Sequence, residues 1–204
     1  MADVAKIEAE LKAFRAETAE RIAKLSPGDT IKGFYLRGYL EAFRTEGGEA
    51  LYQRCRALIP DKDLIDFFSY PYAAVMQMGL LGAEQLAPKF GGVQPFLRAM
   101  GRIAVNQYLG SPLGRTFLNL AQPSPRAMLR MLPTAIATTM RFGTRTVTFA
   151  SDTQCTFACR GDWSPAEANA GAIEAVIVAA KGKSPQVNVR PYSMLDYDLE
   201  ASWS

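Results

Sequence analysis

Cys155 and Cys159 stand four residues apart in a segment that alternates threonine or alanine with larger apolar residues, the spacing that first raises the question of a metal or a disulfide. Four residues of extended strand span about 13 Å, whereas zinc-bound thiolates sit ~2.3 Å from one ion. A flat strand therefore lets the pair share neither a metal nor a disulfide. Cys155, Phe157 and Cys159 instead read as one inward face of a strand, and Cys55 as a third core thiol. Asp196, Asp198 and Glu200 alternate on another strand, their carboxylates about 7 Å apart, a separation known from glycosidic acid–base pairs but commoner on a solvated sheet face. Gly182-Lys183-Ser184 ends like a phosphate loop, yet Ile177 stands where the first glycine belongs and Pro185 leads into a strand rather than a helix. Arg98, Arg102, Arg115, Arg126 and Arg130, with Arg141, lie in a stretch (92–143) that has no acidic residue, and this stretch accounts for the whole positive excess of a chain whose net charge is +3. Guanidinium forks of this kind suit carboxylate or phosphate, so these five arginines are the candidate anion-binding set; the plain alternative is pairing with carboxylates elsewhere in the chain. Nucleic acid is not an expected partner.

The 204 residues include no histidine. That excludes histidine-ligated haem, H-E-x-x-H zinc chemistry and every nucleophile that needs an imidazole base. No catalytic residue, metal ligand or cofactor is called for by any motif, and the expected protein is not an enzyme. An odd number of cysteines fits a reducing compartment. With no uninterrupted apolar run of membrane length and no secretory start, the chain is expected to be cytoplasmic without a membrane span. A pocket lined by aromatic, Met and Cys side chains would draw on Phe67, Tyr70, Met128, Cys155, Phe157 and Cys159, which form the candidate site for a small apolar or acyl-like ligand. For Phe67-Phe68 the plain reading is core at a helix junction.

The elements that must position these residues follow from periodicity. Val4, Ile7, Leu11, Phe14, Thr18 and Leu25 repeat along a helix over 2–25, a narrow stripe that meets a partner or folds back on its own chain. Residues 1–28 are accordingly expected as an N-terminal helix, a dimerisation or docking arm, and 29–204 as a single α+β domain, helical over 29–143 and sheet over 144–204. Within the helical part, Asp29 is placed as the N-cap of a helix over Thr30–Ala42, and another helix begins near Gly48. Ser111-Pro112, Ser124-Pro125 and Ser164-Pro165 mark three helix starts, the last with a full capping box through Glu167. After Gly143 the period becomes two: a hairpin, a helix over the Ala-rich stretch, then two strands, giving β-β-α-β-β. The fold class is α+β, an N-terminal helical layer with a C-terminal four-stranded antiparallel sheet.

Asp66-Phe67-Phe68-Ser69-Tyr70-Pro71, Leu86-Ala87-Pro88-Lys89-Phe90-Gly91-Gly92, Gly101-Arg102 and Ser111-Pro112-Leu113-Gly114-Arg115 follow one another in this order. Together with β-β-α-β-β they resemble a paralogous family of uncharacterised myxobacterial proteins, a likeness covering about 30–203 that carries over no catalytic residue. More loosely the pattern is similar to the ligand-binding fold of haem-nitric-oxide sensors, vinyl-reductase-type sensor domains and Golgi-transport subunits. That resemblance implies a regulatory or sensor-like domain, self-associating or bound to a partner protein, with an apolar cavity between helices and sheet. It also implies a departure from the haem branch, because no histidine is present to hold iron.

Overall fold

The protein is described by a computed structural model covering residues 4–59, 63–110, 112–121 and 124–204. It divides into two compact units, Met1–Met100 and Gly101–Ser204.

In the first unit, α1 (Val4–Lys24) turns its stripe of Ile7, Phe14, Thr18 and Arg21 inward. It packs on α3 (Tyr72–Phe90), with Arg15 paired to Glu84, so this face is used within its own chain. Glu10 accepts the Val93 N–H at 2.9 Å, satisfying an amide at the start of α4 (Val93–Gly110). The expected helix over Thr30–Ala42 is corrected at its beginning. Thr30–Lys32 is a strand, β1, paired antiparallel with β2 (Ser69–Pro71), and α2 (Gly33–Arg56) starts after it. Burial decides this: Ile31 and Tyr70 face each other across the ribbon and both are buried, so β-branched Thr30-Ile31 gain more as a strand than as a first helical turn. Asp29 consequently caps no helix; its carboxylate accepts the Ser26 N–H at 2.7 Å. At Gly48 (φ 81°, ψ 179°) α2 breaks into two halves, in keeping with the restart read near that residue. α3 ends on Gly91 in the left-handed region (φ 84°), while the Gly92 N–H bonds the Ala87 carbonyl.

The second unit holds α5 (Pro112–Ala121), α6 (Pro125–Ala137), β3 (Thr144–Ser151), β4 (Gln154–Arg160), α7 (Ala166–Ala179), β5 (Gln186–Pro191) and β6 (Tyr197–Ser202). The four strands form one antiparallel sheet in the order β3-β4-β6-β5, the two ribbons expected on either side of a helix. Cys155, Phe157 and Cys159 of β4, and Tyr197, Leu199 and Ala201 of β6, line its inner face against Met128 and Leu129 of α6 and Ile173 and Ile177 of α7. The Ser124 hydroxyl accepts the Ala127 N–H, as a cap should, and α6 runs on through Pro133. The Ser111 cap lies outside the described residues. The expected capping box at Ser164 is corrected: Pro165 occupies the N-cap position and no side chain caps α7. Ser164 is instead turned inward, its N–H donating to Asp162 and its carbonyl accepting from the Tyr197 hydroxyl.

Candidate functional site

Met128, Cys155, Phe157 and Cys159 come together in the second unit, each less than a twentieth exposed. Alternation on β4 puts three of them on one side, and the first turn of α6 brings Met128 over them. Burial pushes the Cys155 thiol up to about 11 and the Cys159 thiol to about 12, so both are protonated at neutral pH. They behave there as small apolar groups, not as nucleophiles.

Next to Cys159 lies a polar cluster that the sequence reading missed. Arg145 of β3 and Asp162, just after β4, form an ion pair at 2.8 Å with both side chains shut away from solvent. Asp162 also accepts the Ser164 N–H at 2.9 Å and the Asn169 amide at 3.1 Å. Asn169 donates in turn to the Tyr197 hydroxyl at 2.5 Å. Desolvation, with the Asp162 charge close by, drives the Tyr197 phenol far above its ordinary value, so it remains a neutral donor to Ser164. The cluster ties β3, β4, β6 and the start of α7 at one corner. The only sequence signal was Arg145 on the inward parity of β3, an anomalous charge on an apolar face.

The arginine set disperses. Arg98 lies in the first unit. In the second, Arg102 pairs with Glu174 at 2.8 Å, and Arg126 donates to the Ser151 carbonyl at 2.7 Å and lies 3.5 Å from Asp152. Arg126 and Arg130 converge on the Phe149 ring, at 4.4 and 5.8 Å from its centroid. Arg115 is exposed.

Phe67 and Tyr70 belong to the first unit. Phe67 is 71% and Phe68 60% exposed, which corrects the core reading of this pair. The reason is the backbone: the Phe68 carbonyl accepts from Gly33, its N–H donates to Ile65, and the Phe67 carbonyl accepts from Lys32. That turn leaves the rings outside. Tyr70 is buried, its hydroxyl accepting the Ile65 N–H at 2.9 Å. Beside this loop a cleft of about 270 Å³ is lined by Arg37, Leu40, Glu41, Tyr52, Arg56, Asp63 and Leu64. Arg37, Leu40 and Glu41 share a face of the first half of α2, Tyr52 and Arg56 a face of the second, and the break at Gly48 brings both faces to one cleft. None of the cleft residues was a sequence candidate, because their convergence depends on that break.

The fold is similar to that of H-NOX proteins. An unliganded Fe(II) H-NOX protein from K. algicida is 11% identical, with 85% of this chain and 97% of that chain covered at a TM-score of 0.67. An H-NOX protein from S. oneidensis in the Fe(II)NO state is 10% identical, covering 85% and 99% at 0.67. An oxygen-binding H-NOX domain related to soluble guanylate cyclases is 12% identical, covering 85% and 95% at 0.64. At such identity the likeness is one of fold. By sequence the chain belongs to the family described as "Protein of unknown function (DUF2378)", which it matches over residues 24–204. No curated protein matches it. Haem, the group this fold likeness raises, does not fit the residues present. The chain contains no imidazole, the inner-face thiols are held protonated, and the Tyr197 oxygen is committed to Asn169 and Ser164. Among the described residues no helix is long and apolar enough to cross a membrane.

Proposed function

We propose that this protein is a non-enzymatic, sensor-like regulatory domain that binds a small non-haem ligand or a partner protein and self-associates in the cytoplasm. The observation that carries the reading is coverage: 95–99% of each H-NOX domain named above is matched, so this chain spans the whole of a ligand-sensing fold without its iron ligand. On this reading Met128, Cys155, Phe157 and Cys159 form the apolar wall toward an acyl-like ligand. Titration with hemin and ferrous hemin under nitric oxide tests the departure from haem. The expected result is only the weak, broad absorbance of adventitious hemin; a sharp stoichiometric Soret band that shifts with nitric oxide would overturn it.

A second reading makes Arg126 and Arg130 of the second unit an anion-binding pair, favoured by their meeting over Phe149. Binding of a polyanion such as heparin that weakens steeply with salt supports it, and a flat salt dependence removes it.

A further inference from the structure

The two edges of the four-stranded sheet are built differently. At one edge β5 is six residues long, follows Pro185, ends on Pro191 and carries the exposed Arg190. Prolines without an N–H, a short strand and an exposed charge are devices that keep a further strand from adding on. At the other edge β3 runs for eight residues with no proline, glycine or lysine. Its one charge, Arg145, is turned inward and neutralised by Asp162. The register slip of β3 falls between Phe149 and Ser151, at the hairpin end, so residues 144–149 pair regularly. Outside the ladder with β4, no backbone hydrogen bond reaches residues 146–150 among the described residues, while the Ser151 carbonyl beyond them is taken by Arg126. An edge that is open, regular and unguarded is a template for one more strand.

The residues along β3 select which strand that is. Opposed residues of an antiparallel pair face the same side, so a two-fold axis at Val147 sets Val147 against its own copy on the inner face and Thr146 against Thr148 twice on the outer face. The threonines are exposed and Val147 and Phe149 half-buried. Thr–Thr and β-branched pairs are favourable across strands, and no like charges are opposed. The same axis brings the hairpin end of one copy, with Asp152, to the start of β3 in the other, with Arg141. Asp152 is 95% exposed and only 3.5 Å from Arg126 of its own chain, and Arg141 is exposed with no carboxylate partner among the described residues. The two ends are therefore complementary in sign, twice over. A strand of this length alone falls short of the ~800 Å² per partner of a stable interface. Half-buried Met131, Leu132 and Ile136 of α6, the helix packed on β3, add apolar surface along the same edge. We infer that β3 is a self-association edge: two copies of this chain pair β3 with β3, antiparallel about Val147, and join their four-stranded sheets into one. This deepens the sensor-like reading by locating its self-association, and rests on that reading.

The test is light scattering of the full chain at tens of micromolar. Thr146→Lys combined with Thr148→Lys places like charges opposite one another across the axis at exposed positions, and Thr146→Glu with Thr148→Glu does the same with the other sign. The parent should be a dimer, and each variant should dissociate at least tenfold more readily with an unchanged circular dichroism spectrum. Mixing the lysine and glutamate variants in equal amounts should restore the parental mass. Arg141→Glu and Asp152→Lys should each weaken the dimer when alone and restore it when combined in one chain. A lysine variant as dimeric as the parent, or a mixture that stays monomeric, overturns the edge assignment and leaves self-association through another surface standing. A monomeric parent overturns both. A monomeric parent that takes up an unrelated extended peptide of alternating Thr and Val gives the edge to a foreign strand and likewise overturns the second copy.

Discussion

Arg145 and Asp162 meet at 2.8 Å in a place neither shares with water, the one on the first strand of the sheet and the other beyond the end of the second. Removing one partner leaves a buried charge unpaired, so Arg145→Met and Asp162→Ala should each cost about 3–5 kcal/mol in urea unfolding. The double variant should cost clearly less than the two singles added together. Strict additivity would show that the pair is not what holds this corner.

The three buried thiols make the fold sensitive to alkali. Burial raises Cys55 to about 12, Cys155 to about 11 and Cys159 to about 12, all above the ~8.5 of an unfolded cysteine. The native state thus retains protons that the unfolded chain releases. The stability they contribute is fully present below about pH 8.5 and is lost as pH rises toward 11–12. Melting temperature should fall through that window, less steeply in Cys159→Ala than in the parent, and a slope independent of the substitution would contradict the assignment.

Gly101 separates close packing from helix propensity. A Cβ there would run into the Ala168 carbonyl, so Gly101→Ala forces α4 away from α7 and should cost about 1–3 kcal/mol. Gly79, in the middle of α3, has nothing within 4 Å of the same added atom, and Gly79→Ala should stabilise by about 0.5–1 kcal/mol. Denaturant midpoints moving in the same direction would refute the distinction.

Exposure makes a similar pair of neighbours unequal. Phe67→Ser removes a ring already 71% in solvent and should change stability by no more than about 0.5 kcal/mol. Tyr70→Phe deprives the Ile65 N–H of its acceptor and should cost about 0.5–1.5 kcal/mol. Thermal melts of the two variants give the order; a larger loss in Phe67→Ser would mean that its ring is packed.

The sheet was legible because β4 and β6 alternate strictly, leaving Cys155, Phe157 and Cys159 no other shared face. The N-terminal ribbon was not, because three residues such as Thr30–Lys32 carry no period and are settled only by a partner nearly forty positions away. The motifs that carry the family resemblance prove to be joints of the fold. Asp66 anchors Arg37, Gly91 ends α3, Gly101 admits α7, and Arg102 pairs with Glu174. Such motifs locate a fold without disclosing a ligand. The buried Arg145 cluster and the Arg37–Arg56 cleft escaped notice for the same reason: each assembles residues that no single helix or strand brings together.

Native mass spectrometry of the freshly purified chain tests the central claim most directly, since it weighs ligand and subunits at once. The account predicts a dimer or higher oligomer carrying a small non-haem molecule that collisional activation releases intact. A species bearing one haem per chain, or a bare monomer that takes up no small molecule or partner under any condition, would contradict it.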